Sequence, residues 1–289
     1  MQRHNLFVFL NHDLGDGREL FAEYGSYQSE YNGNRHSVSH FSSVKFVVPA
    51  TNPYNFTGKA LLMDNYRFVD AGARVVDNDK QTDRYLVGVR GQTDDGWDWE
   101  SAASYSVAEA FDVTHNRVSN TLMDALLHRT DETAYNPFNG AGIYQTGFVS
   151  HNPVDYTPGG IGPALVDAYR ANERTMTTLD FRMSKPDVFT ITGGDVGMAF
   201  GVEARNDTFM DDRDPRLDGT IVFTERRTNG QLSTSAGDTY PYVSDLANSS
   251  PTPDNDGARN VNSVYLEFDV PLVSPEMNIP VVEQFDLQL

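Results

Sequence analysis

Arg84-Tyr85-Leu86-Val87-Gly88-Val89-Arg90-Gly91-Gln92-Thr93-Asp94-Asp95-Gly96-Trp97-Asp98-Trp99-Glu100-Ser101-Ala102-Ala103-Ser104-Tyr105-Ser106 is the stretch on which the fold turns. Tyr85, Val87 and Val89 alternate with Arg84, Gly88, Arg90 and Gln92. After Thr93-Asp94-Asp95-Gly96, Trp97, Trp99, Ala103 and Tyr105 alternate with Asp98, Glu100, Ser104 and Ser106. Period two with one apolar side is the pattern of a strand with one polar and one apolar face, and Asp-Asp-Gly between two such runs makes a hairpin.

The same alternation recurs along the chain. Leu179, Phe181 and Met183 alternate with Thr178, Asp180 and Arg182. Met198, Phe200 and Val202 alternate with Gly201, Glu203 and Arg205. Val264, Leu266, Phe268 and Val270 alternate with Tyr265, Glu267 and Asp269, and Phe285, Leu287 and Leu289 with Gln284, Asp286 and Gln288. With a less regular pair at 5–13 and 19–31, the predicted strands are 5–13, 19–31, 73–92, 96–112, 174–190, 197–210, 261–271 and 283–289. Short connections (Leu14-Gly15-Asp16-Gly17-Arg18, 93–96, Thr192-Gly193-Gly194-Asp195 and a turn through Pro271, Pro275 and Pro280) alternate with long ones at 32–72, 113–173 and 211–260. Long loops of this size are uncommon inside a compact soluble domain. A transmembrane β-barrel has short turns at one membrane face and long loops at the other, with strands of about 9–11 residues crossing the bilayer. The expected fold is therefore all-β: an antiparallel transmembrane β-barrel, with a soluble sandwich as the alternative. In a barrel the polar faces line the lumen and in a sandwich they face solvent. A short helix is expected after Ser119 and Asn120, where Val118, Leu122, Ala125 and Leu126 recur at helical spacing, and 228–260 reads as a loop rich in Gly, Ser, Thr, Asn and Pro.

Composition narrows the function classes. The 289 residues carry a formal charge of −19 and no cysteine. The acid excess speaks against nucleic-acid binding, which needs basic patches, and the lack of cysteine removes disulfides, thiolate zinc sites and Cys nucleophiles. No stretch approaches the roughly 18 apolar residues of a membrane helix, and Met1–Asn5 does not begin a secretory signal.

Few constellations invite chemistry. His36 and His40 at spacing four lack a third ligand nearby in sequence, so solvated loop histidines are the favoured reading. The acidic runs Asp211, Asp212, Asp214, Asp218 and Asp254, Asn255, Asp256 lack the ligand alternation and terminal Glu of a calcium loop. Gly140-x-Gly142 and Gly159-Gly160-x-Gly162 fit no nucleotide motif, and no nucleophile triad is present. Asp98 and Glu100 could serve as an acid–base pair in a glycosidase, but with arginines on neighbouring strands a structural charge network is favoured. No metal, cofactor or enzymatic activity is expected. Trp97, Trp99 and Tyr85 belong to the apolar face, as an interfacial girdle in a barrel or as core in a soluble protein. Tyr54, Tyr66, Tyr135, Phe138 and Tyr144 lie in the long loops. There they can stack on a ligand, with Arg67 or Arg74 pairing an anionic one, or else staple the loops together.

An ordered set of short pieces resembles the barrel of TonB-dependent outer-membrane receptors: Leu20-Phe21-Ala22-Glu23-Tyr24, Pro49-Ala50-Thr51-Asn52-Pro53-Tyr54-Asn55, Tyr66-Arg67-Phe68-Val69-Asp70, Tyr85 to Gly91, Trp97 to Ala102, Tyr135-Asn136-Pro137-Phe138-Asn139-Gly140, Ala199 to Arg205 and Asp212-Arg213-Asp214-Pro215-Arg216-Leu217. The resemblance runs over nearly the whole chain. It implies about 8 strands of a barrel of about 22, with short periplasmic turns, long extracellular loops and a location in the bacterial outer membrane. It further implies energy-coupled uptake of a scarce ligand such as a ferric siderophore, cobalamin or an oligosaccharide. The implied partners are outer-membrane lipid, the plug domain of the same receptor, TonB acting through an N-terminal part, and the small-molecule ligand. On this reading residues 1–289 are an internal piece of the barrel domain. Arg84, Arg90, Asp98, Glu100, Asp180, Arg182, Glu203, Arg205, Glu267 and Asp269 face the lumen and plug, and Tyr54, Tyr66, Arg67, Tyr135, Phe138 and Tyr144 meet the ligand. The alternative function is a secreted or surface β-protein that binds carbohydrate.

Overall fold

The computed structural model describes residues 1–40, 45–138, 154–224 and 244–289. In chain order the strands are β1 (Gln2–Gly15), β2 (Arg18–Arg35), four short ones, β3 (Ser39–His40), β4 (Phe46–Val48), β5 (Leu61–Met63) and β6 (Tyr66–Arg67), then β7 (Arg74–Gln92), β8 (Asp98–Val118), β9 (Leu165–Ile191), β10 (Gly194–Arg213), β11 (Asn255–Val273) and β12 (Phe285–Gln288). The eight main strands form one antiparallel sheet in the order β1-β2-β7-β8-β9-β10-β11-β12. Each pairs only with its neighbours along this series. This is the up-and-down order that alternating short turns and long loops impose.

All eight expected strands are present. Most run further than expected at the long-loop end: β8 reaches Val118, β9 starts at Leu165 and β11 starts at Asn255. The added segments, such as Thr114-His115-Asn116-Arg117 and Asn255-Asp256-Gly257-Ala258-Arg259-Asn260, are polar on both faces, so hydrophobic alternation gives no sign of them. β11 also continues through Pro271, which sits at a register shift opposite Asp286 rather than in the turn. A ladder irregularity is one of the few sheet positions where the missing N–H of proline costs little. At the β1–β2 turn, Asp16 (φ 54°) and Gly17 (φ 70°) form a two-residue loop with both φ values positive. That is the type I′ geometry whose twist matches the flanking strands.

Residues paired across an antiparallel ladder share a face. One face carries Leu6, Val8 and Leu10 on β1, Leu20, Ala22 and Tyr24 on β2, and Tyr85, Val87 and Val89 on β7. It continues through Trp99, Ala103 and Tyr105 on β8, Leu179, Phe181 and Met183 on β9, and Met198, Phe200, Val202 and Ala204 on β10, to Val264, Leu266, Phe268 and Val270 on β11. Among the described residues no second sheet packs on it. Leu179 is 58%, Val264 79% and Leu266 53% exposed. The apolar stripe crosses the sheet diagonally. The ladder row that starts at Val8, within the stripe, passes through Tyr24, Tyr85 and Tyr105 at its margin and ends on Thr177, Asn206 and Asn260, outside it. The drift is about one to one and a half residues per strand. At a rise of about 3.3 Å per residue and a strand spacing of about 4.8 Å, a level apolar band then requires strands tilted by about 35–45°.

The core of the molecule lies elsewhere. Val38, Phe46, Phe68, Val118, Met123, Leu126, Leu127, Tyr135, Ile161 and Ala247 are buried together, and they come from the long loops and the strand ends beside them. The loops thus build a cap at one end of the sheet. The expected helix is α1 (Asn120–Leu127); Ser119 caps it by accepting from the backbone N–H of Leu122. Within the stretch 228–260 that reads as an irregular loop, Ser244, Asp245, Leu246 and Ala247 are buried in this cap.

Two glycines on the opposite, polar face receive aromatic rings. A Cβ on Gly88 would lie 2.3 Å from the Phe21 ring, and one on Gly201 2.3 Å from the Tyr265 ring. Gly88→Leu is expected to push Phe21 off its seat and destabilise the sheet by about 1–3 kcal/mol. The double change with Phe21→Gly should recover part of that loss in a urea-unfolding cycle, whereas purely additive losses would show that the ring and the glycine do not interact.

Candidate functional site

Two regions carry the expected site residues: the polar face of the sheet and the cap. The ladder register brings Arg84, Arg90, Asp98, Glu100, Asp180, Arg182, Glu203, Arg205, Glu267 and Asp269 to one face, opposite the apolar stripe. Cross-strand neighbours of opposite charge pair there. Arg90 reaches both carboxylate oxygens of Glu19 at 3.1 Å and lies 5.3 Å from the centre of the Phe21 ring. Arg182 donates to Glu100 at 2.7 Å, Arg84 to Glu23 at 3.4 Å, and Arg205 lies 3.4 Å from Asp207. Arg84, Arg90 and Arg182 are each tied to an adjacent strand, and Arg205 to a residue of its own strand. A groove of about 690 Å³ runs along this face past Glu19, Arg90, Glu100, Arg182 and Tyr265. Asp98 lines the same groove and accepts from the Gln92 side chain at 3.2 Å.

In the cap, the loop aromatics join loop to loop. Tyr66 and Tyr135 hydroxyls lie 3.0 Å apart, and the Tyr135 hydroxyl donates to Asp70 at 3.2 Å. Tyr54 donates from its hydroxyl to the Glu132 carbonyl at 2.8 Å. Asn52 donates to the carbonyls of Leu127 (3.0 Å) and Tyr135 (3.1 Å), fastening the first long loop to the second. Asp245, fully buried, accepts from the Ser119 hydroxyl (2.7 Å) and the Thr121 N–H (2.8 Å) and pairs with Arg216, fastening the second to the third. Tyr135 has no exposed surface and joins the first long loop to the second, the arrangement of a staple between loops. Arg67 is exposed and donates to the Ser37 carbonyl at 2.9 Å. Phe138 keeps an exposed ring, 5.1 Å from that of Phe56, which is 82% exposed. Tyr144 and Gly140-x-Gly142 lie outside the described residues.

The other sequence candidates take structural places. His40 is buried against the Phe46 ring while His36 is exposed, so the two do not form one site. Among the described residues no cluster of three metal-ligand side chains occurs. Asp211 bridges Arg170 and Arg213, Asp214 caps α2 (Pro215–Asp218), and Asp254 accepts the Arg213 N–H. Sequence reasoning missed Asp245 and Asn52 as joints. Neither has a local signal beyond being a polar residue of a loop.

Burial also sets the ionisation of the cap. It pushes the His40 imidazole down to about 4, against a smaller opposing pull from Asp64. It pushes Asp70 up to about 6, in spite of the hydrogen bond from Tyr135, and pushes Tyr135 well above the usual phenol range.

No family model matches the chain, and no curated protein and no solved structure matches it.

Acid acts on the two buried groups in opposite senses. Unfolded His40 takes a proton near 6.5 and folded His40 only near 4, so its contribution falls as pH drops through that window. Folded Asp70 holds its proton up to about 6 and unfolded Asp70 only to about 3.8, so its contribution falls as pH rises through that window. Cap stability, read by hydrogen exchange of the α1 amides, should change little between pH 4 and 6. In Asp70→Asn it should fall as pH drops through that range, and in His40→Phe it should fall as pH rises. Identical pH profiles for the two variants would contradict the assignment.

Proposed function

We propose that this chain is wall and outer cap of a TonB-dependent outer-membrane receptor, a β-barrel that takes up a scarce ligand across the bacterial outer membrane. One observation carries the reading: a continuous apolar sheet face against which none of the described residues packs as a second layer. Soluble monomers rarely expose a contiguous apolar patch beyond a few hundred Å². A lipid-facing barrel wall has this face by construction, with a polar face toward its lumen. The diagonal drift of the stripe supports the same reading, because its implied tilt is that of barrel strands. So does the row Tyr24, Tyr85, Tyr105 at the margin of the stripe, where amphipathic rings favour the headgroup level. Beyond it Asp83, Gln81 and Asp79 follow on the same face of β7, and the strand is polar on both sides.

On this reading the charged face lines the lumen beside the plug domain. The cap faces outward and receives the ligand, and energy delivered through TonB moves the plug. The ion-paired arginines keep the wall fixed while the plug moves. A second reading, a surface protein that binds carbohydrate, draws on the exposed Phe56–Phe138 pair, which offers an apolar platform to a sugar ring.

The two readings part at the apolar face. Val87→Asp is expected to lower stability in lipid or detergent, by less than the about 2–4 kcal/mol that an Arg or Lys costs at the bilayer midplane, and to reduce recovery from the outer-membrane fraction. Leu86→Asp, one residue along on the polar face, should be recovered at close to the wild-type level. A chain that is soluble without detergent, tolerates Val87→Asp and binds a polysaccharide would favour the second reading. For transport itself, a strain deleted for this segment should lose TonB-dependent accumulation of a labelled ligand such as a ferric siderophore or cobalamin. Unchanged uptake across the ligand panel would count against the receptor.

A further inference from the structure

Like charges meet on the polar face where Asp180 stands opposite Glu203, and again at the cap end of the strands, where arginines gather. Arg35 and Arg74 stand directly opposite each other on β2 and β7, and like charges in that position destabilise a sheet. Arg74 feels the repulsion of Arg35 and Arg67, and Arg117 on β8 that of Arg74 and Arg35. Arg74 donates to the His36 carbonyl at 2.9 Å and Arg117 to the Ser249 hydroxyl. Both acceptors are neutral, and the Arg117 Nε is buried without a partner. Among the described residues, none of Arg35, Arg74 and Arg117 forms an ion pair with a carboxylate. This occurs in a chain with 41 acidic and 22 basic residues, where chance favours an acidic neighbour. The sheet also contains its own control: Arg170 and Arg213 are likewise opposite each other, but Asp211 bridges them at 2.7 and 2.8 Å.

Arg117 reaches this place through a backbone irregularity. Thr114 pairs with Ala168, but Arg117 pairs with Val166, so β8 carries one extra residue there. Asn116 takes φ 57° and ties its side chain to the Ala73 carbonyl at 2.8 Å. Without the bulge, Arg117 would fall on the opposite face of the sheet. Bulges re-aim side chains in this way and concentrate beside functional sites. A cavity of about 220 Å³ lies where the arginines converge, lined by Arg35, Arg117 and Arg170 and by Leu217 from α2. Asp112 also lines it, held by the Asn78 amide and close to Arg170.

We propose that this cavity beneath the cap, with Arg74 beside it, is a binding site for a small anion bearing carboxylate or phosphate groups. Guanidinium groups match both geometries through paired N–H donors. The size of the cavity suits a small molecule rather than a protein segment. The site itself needs only the strand tops and the cap; that the anion is cargo, or part of cargo, rests on the receptor reading.

Isothermal titration of the full chain, in whichever buffer or detergent keeps it folded, tests the site with citrate and, separately, with inorganic phosphate, at ionic strength held constant with sodium chloride. Saturable binding of one equivalent of at least one anion is expected, weakened tenfold or more in Arg117→Gln and in Arg35→Gln/Arg74→Gln. Arg18→Gln, at the opposite end of β2, should bind as the wild type does. If a cluster variant does not fold, hydrogen exchange on the wild type replaces it: the anion should slow exchange at residues 74–76 and 114–118. Folded wild-type chain that binds neither anion, binding equal in the cluster variants, or binding without protection of those segments would overturn the proposal. A chain that binds the anion but folds without lipid or detergent would overturn the receptor reading and leave the anion site standing. One that requires lipid and binds neither anion would do the reverse.

Discussion

A sheet that is apolar on one face and charged on the other needs a different surrounding on each side. Most proteins meet this need with a second layer, which buries the apolar face as core. Here the buried core belongs to the cap, and among the described residues no second layer covers the sheet face bearing Val87, Leu179, Val202 and Leu266. The rest of the architecture follows from that constraint. If lipid covers the face, strands must meet it at one level. The diagonal course of the apolar stripe is then the trace of strand tilt, and the tyrosine row marks its edge. The polar face must satisfy its own charges, which it does through pairs such as Arg90–Glu19 and Arg182–Glu100.

The cap solves a separate problem. Three long connections would each lose much conformational entropy if they were ordered alone. Their described parts are ordered together, through a shared core around Phe46, Phe68 and Tyr135 and through a few buried polar joints. Asn52, Asp70 and Asp245 each satisfy groups from different parts of the chain. Removing one would leave buried donors or acceptors without partners, at about 1–3 kcal/mol each. The cap is therefore a small folded unit at the strand tops, and Leu217 of the third long connection lines the arginine-bearing cavity there.

How much of this was legible in the sequence differs between the sheet and the cap. Strand order, the short turns and the residues of each face all follow from period-two alternation and turn chemistry, because a strand exposes its pattern locally. Strand ends at the cap were not legible, since their residues are polar on both faces and lose the alternation. The sequence left open whether the loop aromatics bind ligand or staple the loops. Tyr135 shows why: its burial depends on Asp70, Tyr66 and Asn52, which lie more than sixty residues away. The arginine cluster was visible only through Arg74, which the sequence offered beside Arg67 as a partner for an anion. Arg117 joins it only through a bulge, and a bulge reverses the face that simple alternation assigns.

The central claim is that lipid covers the apolar face. The chain has no cysteine, so single cysteines can be placed along β7 at positions 84–89 without background and spin-labelled in vesicles of outer-membrane lipid. The account predicts accessibility that alternates with every residue: labels at 85, 87 and 89 relaxed by lipid-soluble oxygen, and labels at 84, 86 and 88 relaxed by a water-soluble nickel chelate or shielded from both. Labels at 85, 87 and 89 that respond to the nickel chelate and not to oxygen would mean that water covers this face, and the barrel wall would have to be abandoned.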